Sequence, residues 1–93
     1  MQFAIYCLDK AGHAETRTSN RPAHVEHLKA HNDHLLMAGP MLSDDSDAPI
    51  GSLLVVEMPD RAAVDRFVAA DPYSKAGLFQ SVSVRPFRKT FPQ

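Results

Sequence analysis

The sequence predicts an α+β domain in which strands and helices follow the order βαββαβ. Two observations carry this prediction. Four short segments are rich in aliphatic and aromatic residues and have the length of strands, and two further segments carry helix-start signals followed by apolar residues at helical spacing. This order is typical of the ferredoxin-like split βαβ layout, in which a four-stranded antiparallel sheet carries two helices on one face.

Two strands are predicted in the first half of the chain. Residues 2–8 are nearly all apolar or aromatic, and a second apolar strand, 35–39, is predicted to end at Gly39-Pro40. The acidic segment 43–49 is a solvated loop by composition, because it lacks the glycine and the distal glutamate of a calcium-binding EF-hand loop.

The first helix is predicted over about 21–33. The polar stretch 9–20 reads as a loop, and Ser19 or Asn20 can cap the helix that follows. Pro22 would then lie in the first turn, where its missing N–H costs nothing.

The second helix is predicted over 61–70. Asp60 is a good N-cap, apolar residues repeat on one face, and Pro72 ends the helix. Asp71 is expected to cap a short extra turn that closes near Gly77.

The third and fourth strands are predicted over about 52–58 and 79–85. The first and third strands are apolar on both faces, although two helices can cover only one face of a four-stranded sheet. A sheet face that is open to water is expected to be polar. A second copy of the chain is the simplest cover for the apolar face, so we expect a homodimer.

Composition narrows the class of protein. Residues 1–93 are expected to form one domain, and a net charge of −1 argues against a nucleic-acid partner, because the cluster of Arg85, Arg88 and Lys89 is too short to form a basic face. No apolar stretch approaches the roughly 20 residues that span a bilayer. Neither membrane association nor export is therefore expected, and a cytoplasmic location is predicted.

The single cysteine, Cys7, excludes an intramolecular disulfide, and its apolar surroundings predict a buried, inert thiol.

A set of short motifs carries a family resemblance. In chain order they include Phe3–Tyr6, Arg21-Pro22-Ala23-His24, Leu35–Pro40, Gly51-Ser52, Asp71-Pro72-Tyr73, Ala76-Gly77 and Val84–Phe91. With this order and spacing the chain resembles the YciI-like (YCII-related) family of the dimeric α+β barrel superfamily, which includes muconolactone isomerase-type proteins. The resemblance implies a ferredoxin-like fold, a homodimer of the dimeric α+β barrel type and a His–Asp active site at His24 and Asp71.

His24 and Asp71 are the candidate catalytic pair. An imidazole can move a proton near neutral pH, and a carboxylate can orient it. On a helical wheel His24 lies at the edge of the buried stripe, and the nearby start of the predicted helix favours a neutral imidazole. The alternatives are a semi-buried histidine bonded to backbone or water, and an aspartate that only caps a turn. The two roles of Asp71 are compatible.

Three residues are candidates for substrate binding. Arg21 can hold a substrate carboxylate, or instead pair with an acid on the surface. Tyr73 can donate a hydrogen bond to a substrate oxygen, or instead fill the core. Ser52 is included because it lies in one of the motifs that carry the resemblance.

No metal or other cofactor is expected. His27 and His31 form an i, i+4 pair that can bind zinc or nickel adventitiously, but the His-Glu-x-x-His pattern of zinc proteases is absent and these are not the family's functional positions. His13 and His34 read as loop residues.

Two functions are compatible with this pattern. The first is a small isomerase- or lyase-type enzyme that moves a proton on a small organic substrate, with His24 as general base and acid and Asp71 orienting it. The alternative is a non-catalytic dimeric module that binds a small ligand or a partner domain. The sequence has no glycine-rich phosphate loop, nucleophile elbow or Cys–His pair, which disfavours nucleotide-dependent, serine-hydrolase and redox-thiol chemistry.

Overall fold

Four antiparallel strands form one sheet in the computed structural model, which describes residues 1–93. The strands are β1 (Gln2–Asp9), β2 (Leu35–Leu42), β3 (Pro49–Glu57) and β4 (Phe79–Phe87). They lie in the order β2-β3-β1-β4, so the first strand pairs with both β3 and β4. This is the ferredoxin-like arrangement that the sequence predicts, and the fold prediction is confirmed.

The helices cover one face of this sheet. They are α1 (Ala14–Ala30), α2 (Arg61–Ala70) and the short α3 (Pro72–Lys75), and a 3₁₀ turn at Asn32–His34 joins α1 to β2. The core between the helices and the sheet contains Phe3, Ile5, Cys7, Leu54, Val56, Met58, Val64, Phe67 and Val84. None of the helices combines the length and the apolar character that crossing a bilayer requires.

The predicted start of the first helix is wrong, because α1 begins at Ala14 and absorbs most of the predicted loop. Polar side chains there bond back to backbone carbonyls one turn earlier: Thr18 donates to Ala14, Ser19 to Glu15 and Asn20 to Thr16. Residues that favour caps and turns can occupy a helix when their side chains are bonded in this way. Pro22 therefore lies inside the helix and not in its first turn.

The second predicted strand is too short, because β2 continues through Gly39-Pro40 to Leu42. β2 is an edge strand that pairs only with β3, so a proline without an N–H is tolerated there. The third strand correspondingly begins at Pro49. In that strand Gly51 has no room for a Cβ, which would meet the carbonyl of Cys7 on β1.

The predictions for the second half agree closely with the structure. Asp60 caps α2, its Oδ1 accepting a hydrogen bond of 2.9 Å from the Ala63 N–H. Asp71 ends α2 and caps α3, and Gly77 closes this short turn at a φ of 73°, a backbone conformation that favours glycine. The local capping signals therefore specify this segment.

The opposite face of the sheet keeps large apolar side chains exposed. Tyr6 on β1 is 46% exposed and Met37 on β2 is 52% exposed. Val55 of β3 lies on the same face, whereas Ile5 points into the core beneath the helices. The apolar pattern from which the homodimer is predicted is thus present on the folded chain.

Candidate active site

His24 and Asp71 are in direct contact, although they lie 47 positions apart in the chain. The imidazole Nδ1 is 2.8 Å from Oδ1 and 3.0 Å from Oδ2 of the carboxylate. Both residues are buried. Because an ionised carboxylate only accepts hydrogen bonds, Nδ1 carries the proton and Nε2 is the basic nitrogen. The sequence predicts this contact, and the structure contains it.

The local structure around Asp71 holds its carboxylate in place. Oδ1 also accepts a hydrogen bond of 2.9 Å from the backbone N–H of Tyr73, which is the capping bond of α3. The cap and the histidine contact therefore use the same carboxylate. The two roles considered for Asp71 from sequence coexist.

His24 lies near the middle of α1, nearly three turns from its start. The partial positive charge of a helix N-terminus falls off within the first turn. The expectation that the helix start keeps this imidazole neutral is therefore wrong. The environment of His24 is instead set by residues packed against the side of the helix.

Tyr73 packs directly on the imidazole. The two rings are nearly parallel, with centroids 3.9 Å apart and an angle of 14° between their planes. Tyr73 is 1% exposed, and burial raises the pKa of its phenol, so the hydroxyl keeps its proton at neutral pH. The ring therefore forms one wall of the site.

The site contains a buried arginine that sequence reasoning missed. Arg17 donates from Nε to Asp9 Oδ2 at 2.7 Å, and from Nη2 to Asp9 Oδ1 at 3.0 Å and Ser52 Oγ at 2.9 Å. Its Cζ lies 4.6 Å from the centre of the Tyr73 ring. Burial by itself lowers the pKa of the guanidinium, but the bonds to Asp9 outweigh this effect and raise it above its usual value.

The prediction of a loop over residues 9–20 excludes Arg17 from the helix and so from the site. Extending the helix by two turns toward the N-terminus places Arg17, Arg21, His24 and Leu28 at spacings of four, three and four residues. Such spacings put all four side chains on one helix face. This pattern was the available signal.

A cavity of about 320 Å³ lies between α1 and the β2–β3 end of the sheet. Its polar lining residues include Arg17, Arg21, His24, Ser52 and Tyr73, and apolar side chains such as Val25, Leu28 and Leu54 complete it. The four predicted site residues other than Asp71 therefore face one space, with Asp71 behind His24. Arg21 is exposed and makes no ion pair, so the structure does not contain the surface pairing considered as its alternative.

Cys7 lies in the core and does not line this cavity. Burial, followed by the nearby negative charges of Asp71 and Asp9, raises the pKa of its thiol to about 12. A thiol in this state is not nucleophilic at neutral pH. This agrees with the inert thiol that the sequence predicts.

His27 on α1 and His31, which caps the end of that helix, join α1 to α2. His27 Nε2 donates to the Phe67 carbonyl at 3.1 Å, and His31 Nδ1 donates to the His27 carbonyl at 2.8 Å. Both rings also pack against the Phe67 ring. The chain contains no group of three or more potential metal ligands.

Fold and site together define a ferredoxin-like domain with a buried histidine–carboxylate pair beside a small, partly apolar cavity. A model of the YCII-related domain matches residues 1–88. The chain belongs to the YCII-related family.

Similar proteins agree with this placement. Protein YciI of Escherichia coli is 42% identical, with 98% of this chain and the whole of that protein covered. The structure of 5-chloro-2-hydroxyhydroquinone dehydrochlorinase from Burkholderia phenoliruptrix, in complex with 2,5-dihydroxybenzoquinone, superimposes with a TM-score of 0.90 at 32% identity and covers 97% of this chain and 96% of that one. A dimeric ferredoxin-like protein of unknown function from Jannaschia shares the fold at a TM-score of 0.52 and 16% identity, with 95% of this chain and 98% of that one covered.

Proposed function

We propose that the protein is a cofactor-independent enzyme of the isomerase or lyase type that transfers a proton on a small cyclic substrate. The observation that carries the proposal is the fixed imidazole. Asp71 holds Nδ1–H at 2.8 Å, which leaves Nε2 of a cavity-lining histidine without a hydrogen bond inside the protein. A general base needs this arrangement.

The proposed chemistry balances without an added cofactor. Nε2 of His24 takes a proton from a hydroxyl or ring carbon of the substrate, and the electron pair of that bond forms a new double bond. In an elimination from an aromatic ring, the imidazolium first returns this proton to the carbon that bears the leaving group. Nε2 then takes a second hydroxyl proton, and the leaving group departs with its own bonding pair as the new C=O bond forms. In an isomerisation the imidazolium returns the proton to another carbon, while Asp71 stabilises the charged ring between the two transfers.

The size of the cavity limits the substrate. A cavity of about 150 Å³ holds one benzene molecule, and the cavity here is about 320 Å³. One substituted ring fits this space. The name of the dehydrochlorinase that is 32% identical to this chain supports elimination from a chlorinated, hydroxylated ring.

The direct test is chloride release from 5-chloro-2-hydroxyhydroquinone under anaerobic conditions, which suppress oxidation of the substrate by air. We expect catalysed release that His24→Gln abolishes without changing the melting temperature by more than a few degrees. A wild-type rate equal to that of the His24→Gln protein would contradict the proposal for this substrate. Tight binding of 2,5-dihydroxybenzoquinone without any turnover would favour the ligand-binding module instead.

We also propose that the working unit is a homodimer. The support is the sheet face opposite the helices, where Tyr6 and Met37 are exposed beside the buried Val55. A face of this kind on a single sheet is best covered by another apolar surface. An isologous pair of sheets provides one without a further partner.

A further inference from the structure

The cavity has an uneven distribution of hydrogen-bonding groups. Arg17 uses Nε and Nη2 to bind Asp9 and Ser52, which leaves Nη1 free of both, and the Tyr73 hydroxyl also lies within reach of the guanidinium. The only buried side-chain atom without a partner is Ser74 Oγ, so Arg17 Nη1 is not sealed off. Because Arg17 lines the cavity, its free N–H groups are available to a ligand there.

Arg21 adds a second guanidinium one helical turn further along the same face. It lines the cavity, is exposed, and has no carboxylate within salt-bridge distance. Asp9 and Asp71 are absent from the cavity lining, because their oxygens are turned toward Arg17 and His24. The ligand therefore meets the two cations directly and meets no carboxylate.

His24 Nε2 is the basic nitrogen among these groups. Along α1, His24 and Arg17 are separated by seven residues, or about 10 Å of helix rise, with Arg21 between them. A monocyclic ligand can thus present a proton to His24 while an oxygen on another ring position reaches the arginines. Guanidinium groups bind oxygen anions with charge-assisted hydrogen bonds.

We propose that Arg17 and Arg21 form an oxyanion-binding half of the site, and that the ligand is a hydroxylated quinone or phenol bound as its ring oxyanion. This assignment rests on the proposed function, which it deepens by naming the substrate class. Asp9 and Ser52 are positioning residues, because they hold Arg17 by three hydrogen bonds of 2.7–3.0 Å. Removal of a proton leaves a negative charge on the substrate. The arginines then stabilise this charge at the end of the cavity away from the base.

The test compares two quinones of the same ring. 2,5-Dihydroxy-1,4-benzoquinone is ionised at neutral pH, whereas 2,5-dimethoxy-1,4-benzoquinone cannot ionise. We expect calorimetry at pH 7 to give a dissociation constant at least about ten-fold lower for the ionised compound, since its charge and hydrogen bonds to guanidinium are added to the same ring contacts. Equal affinities would overturn the assignment. Benzoate binding as tightly as the dihydroxyquinone would also overturn it, because the site would then be a carboxylate site.

Variants identify the groups responsible. Arg21→Gln removes a charge from an exposed position, so the fold should persist, and we expect about ten-fold weaker binding of the dihydroxyquinone with no change for the dimethoxyquinone. Arg17→Lys should act in the same direction, because one ammonium cannot bind Asp9 and also present the guanidinium's free N–H groups. Arg61→Gln is the matched control, since Arg61 is a half-exposed arginine on α2 that pairs with Asp65 outside the cavity. An unchanged preference for the anion in Arg21→Gln and Arg17→Lys, or an equal loss in the control, would overturn the proposal.

These binding measurements are independent of turnover. Arginine-dependent preference for the anion without chloride release would support this assignment and refute the proposed activity toward that substrate. Chloride release that depends on His24, together with equal binding of both quinones, would support the activity and overturn this assignment.

Discussion

The imidazole of His24 lies flat against the ring of Tyr73, with centroids 3.9 Å apart, while its Nδ1 is bonded to Asp71 two residues before that tyrosine. One short turn between α2 and α3 thus supplies both the carboxylate that holds the imidazole and the aromatic surface on which it rests. The backbone N–H of Tyr73 bonds to the same carboxylate. These contacts hold the three groups together, which is the arrangement that the proposed general base requires.

Tyr73→Phe tests whether the phenol hydroxyl serves the substrate or the ring only fills the core. The stack is kept, so we expect a change in unfolding free energy within about 1 kcal/mol and a roughly ten-fold loss of turnover, the size of one lost hydrogen bond. Tyr73→Ala, in contrast, should cost about 3–5 kcal/mol, because it leaves a large void. Chemical denaturation and steady-state rates measure both effects. Full activity in Tyr73→Phe would assign the ring to packing alone.

Asp71→Asn should lower turnover by about a hundred-fold or more, because the amide no longer fixes the tautomer of His24 or stabilises its charged form. Nitrogen NMR of the imidazole should show a mixture of tautomers in place of a single form protonated at Nδ1. Asp60→Asn is the matched control, since Asp60 makes the same kind of capping bond on α2 without touching a histidine. Equal effects of the two substitutions would reduce Asp71 to a cap.

Light scattering at micromolar concentration should give the mass of two chains. Tyr6→Asp places a charge on the exposed apolar face, so we expect dissociation to monomers that remain folded by circular dichroism. Ala62→Asp, at an exposed position at the start of α2, should leave the dimer intact. An aspartate at Ile5 should instead unfold the chain, because that side chain is buried in the core. A wild-type mass of one chain would contradict the dimer.

Alkaline conditions should destabilise the protein through Cys7. Its thiol pKa is raised from 9.0 to about 12 in the folded chain. Above pH 9 the unfolded chain loses this proton while the folded chain keeps it, so stability falls as the pH rises from 9 toward 12. We expect a smaller alkaline loss in Cys7→Ala, which lacks this titration. Native protein should also react slowly with iodoacetamide at pH 8, and rapid alkylation without unfolding would contradict the buried thiol.

Prolonged dialysis against a chelator should leave the melting temperature unchanged. His27 Nε2 and His31 Nδ1 already bond to carbonyl oxygens, so holding a metal between them would cost those hydrogen bonds. A large drop of the melting temperature on chelation would restore the metal site.

The pKa of His27 is lowered, chiefly by burial. The unfolded chain therefore takes up this proton first as the pH falls below 6.5, and stability should fall with it. The stability of His27→Gln should therefore depend less on pH below 6.5 than that of the wild type.

The sequence by itself determined the order of the elements and the segment from Asp60 to Gly77. Caps, the proline at 72 and the glycine turn act through bonds between residues close in the chain, so their signals are readable locally. The His24–Asp71 contact was accessible through the family resemblance, because neither residue alone distinguishes a catalytic group from a cap or a core histidine.

Tertiary structure alone decided where α1 starts. The segment before Pro22 is polar and has no strong helical pattern, so local propensity favours a loop. The helix is held there by contacts made at a distance, above all the ion pair of Arg17 with Asp9 and its bond to Ser52. Likewise, β2 passes through Gly39-Pro40 because it is an edge strand, and edge position depends on the assembled sheet. The burial of Arg17 against Asp9 and Ser52, and with it the charge of the cavity, is set only when distant parts of the chain are brought together.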